Sequence, residues 1–216
     1  MSANEVSIEG TNMTRTTESR QQPVVGVLAL QGDFREHCKM LAELGAAARE
    51  VRVPADLEGL DALIIPGGES TTIGKLMVAY DLQKPIREFI AAGKPTWGTC
   101  AGLILLARET DNALAGQPLL ATIRMRVKRN AFGSQGESFE TDLHVPALGD
   151  PAFHAVFIRG PSVESVEDGV EVLASLEDET IVAVQQDHLL GTAFHPEMTG
   201  DPRFHQYFLS MVQSTR

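Results

Sequence analysis

The sequence predicts an α/β fold: a three-layer arrangement in which helices flank an open mixed sheet. Three stretches carry that prediction. Val24-Val25-Gly26-Val27-Leu28-Ala29-Leu30 is a short Val-rich apolar run, the composition of a strand buried on both faces of a parallel sheet. Ala62-Leu63-Ile64-Ile65 is a second such run, and it opens directly into Pro66-Gly67-Gly68-Glu69-Ser70-Thr71-Thr72. Lys94-Pro95-Thr96-Trp97-Gly98-Thr99-Cys100-Ala101-Gly102 repeats the pattern, and the apolar run Leu103 to Ala107 follows it. Strands that alternate with helices in this way form a parallel sheet, with ligands at the C-terminal strand ends.

The remaining elements follow in order. After the first strand, Gln31-Gly32-Asp33 makes a turn, with Asp33 at the N-cap position. Phe34, Cys38, Leu41 and Ala42 recur at helical spacing, which predicts a helix to about Leu44 closed by Gly45. That places Cys38 on the core face. A strand is expected over about 48–53, ending before Pro54. Helices are expected at 73–80 and 82–92, the second with Pro85 in its first turn and Gly93 after its end. The helix after Cys100 is expected to run to about Glu109. The second half changes character. The segments 121–127, 138–145 and 155–159 alternate polar and apolar residues, and 170–176, 181–185 and 189–194 read as strands joined by short polar turns. An antiparallel region therefore extends the parallel sheet. A helix over about 202–213 closes the chain, with Phe204, Tyr207, Phe208 and Met211 as its apolar stripe.

Composition bounds the function. A formal net charge of −11 argues against nucleic acid and anionic membranes as partners. No stretch reaches the roughly 18 apolar residues of a membrane span. The two cysteines, Cys38 and Cys100, have no metal-like spacing and suit a reducing compartment, so a cytoplasmic protein is expected. Residues 1–22 are polar, lack the apolar core of a secretory signal, and read as a disordered leader to a single domain over 23–216.

Three stretches carry chemistry. In Gly98-Thr99-Cys100-Ala101-Gly102 a cysteine stands at a strand-to-helix elbow, where a helix N-terminus favours the thiolate. Taken alone, such a cysteine also fits a buried structural thiol. The Gly67-Gly68 pair leads into a run of capping residues and offers backbone N–H groups to an oxyanion or carboxylate, although an ordinary βα loop looks the same. His195-Pro196-Glu197 sets an imidazole and a carboxylate two residues apart. On an extended segment both share one face, and the logic is that of a nucleophile, base and acid.

Pro-Gly-Gly-Glu-Ser, Gly-Thr-Cys-Ala-Gly and Phe-His-Pro-Glu, in that order, resemble the class I, triad-type glutamine amidotransferases, a family with a flavodoxin-like sheet. Leu28-Ala29-Leu30-Gln31-Gly32, Arg35-Glu36-His37, Arg129-Asn130-Ala131-Phe132-Gly133 and Phe157-Ile158-Arg159 narrow the resemblance to the glutaminase subunits of pyridoxal 5′-phosphate synthases. It spans about Val24 to the end. It implies that Cys100 is the nucleophile, His195 the base and acid, and Glu197 its orienter. It implies L-glutamine binding by Gly68, Glu69, Ser70, Arg129, Ile158 and Arg159, with Gly68 and Ala101 as the backbone oxyanion donors. Either Arg129 or Arg159 suits the substrate carboxylate. It implies no metal and no cofactor, and a separate synthase (lyase) chain as hetero-oligomeric partner. A glutaminase serving another synthase, or a silent interaction subunit of this fold, are the alternatives. The Leu-Gln-Gly and Glu-Ser-Thr-Thr stretches weigh against the first, and the intact Cys100, His195 and Glu197 against the second.

Overall fold

The structure is a computed structural model that describes residues 22–111, 116–132 and 138–215. Most of the expected leader lies outside these residues. The first half is βα in order: β1 (Val24–Leu28), α1 (Phe34–Glu43), β2 (Ala47–Val51), β3 (Ala62–Ile65), α2 (Ser70–Ala79), α3 (Gln83–Ala91), β4 (Thr96–Thr99) and α4 (Ala101–Leu106). The second half is mostly strands: β5 (Ala107–Asp111), β6 (Ile123–Lys128), β7 (Ser138–Leu143), β8 (Phe153–Ile158), β9 (Ser162–Val166), β10 (Glu171–Ser175), β11 (Ile181–Gln186) and β12 (Leu189–Thr192). The helix α5 (Arg203–Thr215) ends it.

One mixed sheet runs β2-β1-β3-β4-β12-β11-β9-β6-β5, with β10 paired to β11, while β7 and β8 form a separate hairpin. The strands β2, β1, β3, β4 and β12 are mutually parallel. Their burial is near complete in the centre. β3 and β4 have no exposed residue, so nothing in them needs to alternate. The last strand in sequence, β12, inserts beside β4 with Thr192 opposite Thr99. That pairing brings a distant chain segment to the strand-end edge where β1, β3 and β4 already finish.

Four sequence expectations are corrected. The elbow helix stops at Leu106, because Ala107 turns extended and the following residues pair with β6 as a sheet-edge strand. β9 is an additional strand. Its Ser-Val-Glu-Ser-Val sequence does not alternate, with Glu164 and Ser165 adjacent, and it stands directly after the Gly160-Pro161 break. Asp33 occupies the N-cap position of α1 but its side chain caps nothing. The core face of α1 is turned from the expected one: His37, Met40 and Leu41 are buried, Cys38 is half-buried and Ala42 is exposed. An imidazole on the buried face hid the true stripe from a count of apolar residues.

Aromatic packing joins the hairpin to the core. Phe139 and Phe157 stack at 4.5 Å, and Phe157, Phe194, Phe153 and Phe204 continue from them in edge and tilted contacts. Each buried ring contributes about 1.5–3 kcal/mol by removal from water. The backbone N–H of His195 also donates to the Val156 carbonyl, at 2.9 Å. The hairpin that carries Ile158 and Arg159 is thereby held over the ends of β4 and β12.

Candidate active site

The elbow is built by close approach. A Cβ on Gly98 would lie 2.4 Å from the Gly102 carbonyl carbon, and one on Gly102 would lie 2.0 Å from the Ile65 carbonyl oxygen. Neither glycine has a positive φ; the unusual backbone belongs to Cys100 itself, at φ 45° and ψ −98°. A non-glycine residue held there stores about 1–3 kcal/mol. Flanking hydrogen bonds hold it: Cys100 N–H donates to the Thr192 carbonyl at 2.8 Å, and its own carbonyl accepts from Ile104 at 3.3 Å. Cys100 is 6% exposed, at the mouth of α4.

His195 and Glu197 follow β12. The segment is not extended as expected. Pro196 begins a 3-10 turn over Pro196–Met198, and that turn brings the carboxylate beneath the ring. His195 Nδ1 lies 2.8 Å from Glu197 Oε1. His195 Nε2 is buried without a hydrogen bond of normal geometry, and the Cys100 thiol interacts with the ring. Burial opposes the charged imidazole, but the Cys100 thiol and the Glu197 carboxylate outweigh it and raise the pKa to about 10. Glu197 is itself raised, chiefly by burial, with His195 opposing the shift.

The Gly67-Gly68 loop closes one side. A Cβ on Gly67 would lie 2.3 Å from His195 Cε1, so the ring packs against bare backbone. The β1–α1 turn grips this loop. Asp33 N–H donates to the Gly67 carbonyl at 3.2 Å, and Glu69 N–H donates to Gln31 Oε1 at 2.8 Å. Gly32 permits the approach: at φ 100°, a Cβ there would lie 1.8 Å from the Gly67 oxygen. Glu69 caps α2 by accepting from Thr71 N–H at 3.0 Å and Thr72 N–H at 2.7 Å. Burial works against its charge, but these hydrogen bonds win and hold its carboxyl near 2.

A cavity of about 620 Å³ lies between these parts. Cys100, Ala101 and His195 line it, as do all six predicted glutamine-binding residues, Gly68, Glu69, Ser70, Arg129, Ile158 and Arg159. Glu197 lies behind His195 and is not part of the wall. Sequence reasoning missed three contributors. Asp33 Oδ2 stands 3.5 Å from His195 Nδ1. Gln31 lines the cavity, and Gln117 links Arg129 (2.7 Å) to Ser70 (3.2 Å). The Gln31-Gly32-Asp33 turn was the legible signal for two of them; Gln117 had none. The arginines differ. Arg129 is engaged by Gln117 and by Glu69 at 3.2 Å, whereas Arg159, at φ 49°, has no ion pair among the described residues. Gly133 lies outside the described residues.

Asp33, His195 and Glu197 bring ligand atoms within 4.8 Å, among the described residues the one group of that kind. The His195 nitrogen in that group already faces Glu197, so the arrangement is that of an acid–base pair. No described helix is long and apolar enough to cross a membrane.

A family model for the SNO glutamine amidotransferases matches residues 27–214. The chain belongs to this family. Among relatives of the SNO family, the pyridoxal 5′-phosphate synthase subunit PdxT of Herpetosiphon aurantiacus is 57% identical over 188 residues, covering 87% of this chain and 99% of that protein. The PdxT of Moorella thermoacetica is 54% identical over 188 residues, covering 87% and 98%. A crystal structure of a glutamine amidotransferase superposes with a TM-score of 0.82 at 52% identity, over 88% of this chain and 98% of the other. The structure of PurLQS from Thermotoga maritima, matched at 18% identity and a TM-score of 0.67 over 90% and 100%, shares the fold. The class I glutamine amidotransferase-like architecture is therefore the one observed.

Proposed function

We propose that this chain is the glutaminase subunit of a pyridoxal 5′-phosphate synthase, hydrolysing L-glutamine to L-glutamate and ammonia through Cys100, His195 and Glu197. The observation that carries the mechanism is the 2.8 Å contact of Glu197 with His195 beside a strained, largely buried Cys100. The PdxT relatives, at 57% and 54% identity over nearly their whole length, support the pathway.

The Cys100 thiolate attacks the side-chain amide carbon of glutamine, and the carbonyl electrons move to oxygen. The N–H groups of Ala101, first in its helix, and of Gly68 are the donors to that oxyanion. As the tetrahedral species collapses, His195 gives its proton to the leaving nitrogen, which departs as ammonia and leaves a glutamyl thioester. His195 then takes a proton from water, which attacks the thioester and releases glutamate, and Cys100 regains its thiolate. Glu197 holds the imidazole with Nδ1 protonated toward the carboxylate and stabilises its cation. Arg159, free of ion pairs among the described residues, binds the substrate α-carboxylate. Arg129, Glu69 and Ser70, held together through Gln117, line the opposite wall.

Ammonia passes to a separate synthase chain in a hetero-oligomer, and the setting is cytoplasmic. The deciding experiment measures glutamine hydrolysis by the chain alone and with its synthase, for the unaltered protein and Cys100→Ala. Activity that persists in Cys100→Ala rejects the mechanism, and a chain that does not co-elute with its synthase rejects the partnership.

A further inference from the structure

Behind Glu197 lie two histidines that the mechanism above does not use. His37 of α1 and His205 of α5 are both fully buried. His37 Nδ1 is 2.9 Å from His205 Nε2. On its other side His37 Nε2 is 3.3 Å from Glu197 Oε2 and 3.3 Å from Thr99 Oγ1, the residue before Cys100. Glu197 Oε1 accepts from His195 Nδ1, and its buried Oε2 has no hydrogen bond among the described residues. Trp97 packs edge-on against both imidazoles, at 5.6 and 4.9 Å between ring centres. Apolar surroundings of this kind do not retain two polar rings cheaply, so their pairing needs a reason.

The tautomers follow from what each nitrogen faces. One arrangement protonates His37 at Nε2 and His205 at Nε2. It places an N–H on His37 Nε2, 3.3 Å from both Glu197 Oε2 and Thr99 Oγ1, and the group left over is a bare lone pair on His205 Nδ1, an atom with no partner among the described residues. The other arrangement sets the lone pair of His37 Nε2 against the carboxylate and buries an orphan N–H on His205. An unpaired donor is the costlier defect, and the lone pair would repel the anion, so the first arrangement holds. Burial, with the neighbouring histidine, keeps His37 well below the ordinary imidazole range. Burial alone brings His205 to about 3. Both are neutral at working pH.

We infer that His37 and His205 are positioning residues for Glu197: His205 sets the tautomer of His37, and His37 aims an uncharged N–H at the second carboxylate oxygen. The inference rests on the Cys100–His195–Glu197 reading. An uncharged donor suits this place. It orients the carboxylate and keeps it ionised without competing for the charge that His195 must carry. The titratable groups around these residues are Cys100, Asp33 and Glu197 about His195; His37, His195 and Asp33 about Glu197; and His205 and His195 about His37.

The test uses the full chain in complex with its synthase and compares His37→Gln with His37→Asn. The longer carboxamide puts its N–H where Nε2 stands, toward Glu197. The shorter one reaches only the Nδ1 position, toward His205. Turnover is counted per Cys100 labelled by a glutamine-analogue electrophile, so misfolded protein does not contribute. The titration of His195 is followed by NMR of isotope-labelled histidine. His37→Asn is expected to lose about 10–100-fold in kcat, the range for a lost outer partner, with KM nearly unchanged. It should also lower the pH at which His195 titrates, because a less ionised Glu197 supports the imidazolium less. His37→Gln should restore both. A role confined to the bond with His205 predicts the opposite ranking, since the Asn variant keeps that bond, and a role in filling the pocket predicts the same ranking with no change in the His195 titration. Equal kcat in the two variants, or an unmoved His195 titration in His37→Asn, overturns the inference. Cys100→Ala serves as the control for the underlying reading: activity there would sink the triad instead.

Discussion

At the scale of single residues, two cysteines of one sequence have opposite fates. Cys38 sits on α1, where burial, with the acidic neighbours Glu50 and Glu36, pushes its thiol up and away from the thiolate. Cys100 stands at a helix mouth beside an imidazole. A glutamine-analogue electrophile should therefore modify Cys100 and leave Cys38 free, as read by peptide mass; label on Cys38 would contradict the assignment. Cys100→Ala should abolish turnover without lowering the melting temperature, and Cys38→Ala should keep its turnover. Within the triad, His195→Ala should match the loss from Cys100→Ala. Glu197→Gln should be roughly a hundredfold milder, because the base remains and only its orientation and charge support are lost. Steady-state assays that rank Glu197→Gln below His195→Ala would reverse the roles. Arg159→Ala should raise KM about 10–100-fold with a smaller change in kcat, the loss of one charge-assisted contact of about 1.5–3 kcal/mol.

At the scale of elements, the β1–α1 turn and the loop over 67–69 behave as one unit. The turn holds the loop through Asp33 N–H and Gln31 Oε1, and Gly32 lets the two backbones touch. A glycine–glycine peptide reorients at little steric cost. A contact that moves the turn is thus transmitted to Gly68, whose N–H is the oxyanion donor in the proposed mechanism, and a synthase surface docked on Gln31 would act through it. The isolated chain should turn over glutamine about 10²–10³-fold more slowly than the complex, the usual effect of a missing oxyanion donor. Gln31→Ala should narrow that ratio. Equal turnover with and without synthase would remove the gating idea and leave the triad untouched. The cap of α2 is separable. Glu69 is half-exposed, so Glu69→Ala should cost toward the lower end of about 0.5–2 kcal/mol. Its folded pKa is near 2, below the ordinary 4.5, so the contribution is full above 4.5 and fades as pH falls toward 2. Denaturation midpoints of the unaltered chain and Glu69→Gln should converge over that window.

At the scale of the whole molecule, the buried histidines set the acid limit. Their folded pKa values lie below the ordinary 6.5, at about 3 for His205. A depressed folded pKa stabilises above the unfolded value and loses that stabilisation as pH falls through the window. The unfolded chain takes up protons below 6.5 that the native chain refuses. Stability should therefore decline from pH 6.5 downward, at up to about 1.4 kcal/mol per pH unit for each group. Urea midpoints between pH 7 and 4 test this; a flat profile would mean that the two rings are solvated. His195 works in the other direction. Raised to about 10, it contributes fully below 6.5 and loses its contribution as pH climbs toward 10.

Much of this molecule is determined locally. The runs Val24 to Leu30 and Ala62 to Ile65 are too short and too uniformly apolar for anything but buried strands, and both form strands. Gly98 and Gly102 mark the elbow because no side chain fits between Ile65 and the helix that follows. Cys100, the Gly67-Gly68 pair and the His195-Pro196-Glu197 segment were readable as strand-end chemistry, whereas the set Gly68, Glu69, Ser70, Arg129, Ile158 and Arg159 came from the resemblance to the glutamine amidotransferases, and the fold brings it to one cavity. What the tertiary structure decided depends on partners far away in sequence. β12 returns to pair with β4, and only that pairing brings His195 to Cys100. The stretch over 108–111 becomes a strand because a sheet edge is there to receive it. The Asp33 side chain leaves its capping role and approaches a histidine from the other end of the chain. His37 and His205 look like surface residues in any count of apolar spacing. They are buried because each supplies a polar partner to the other, and a hydrogen bond between residues 168 apart leaves no trace in periodicity.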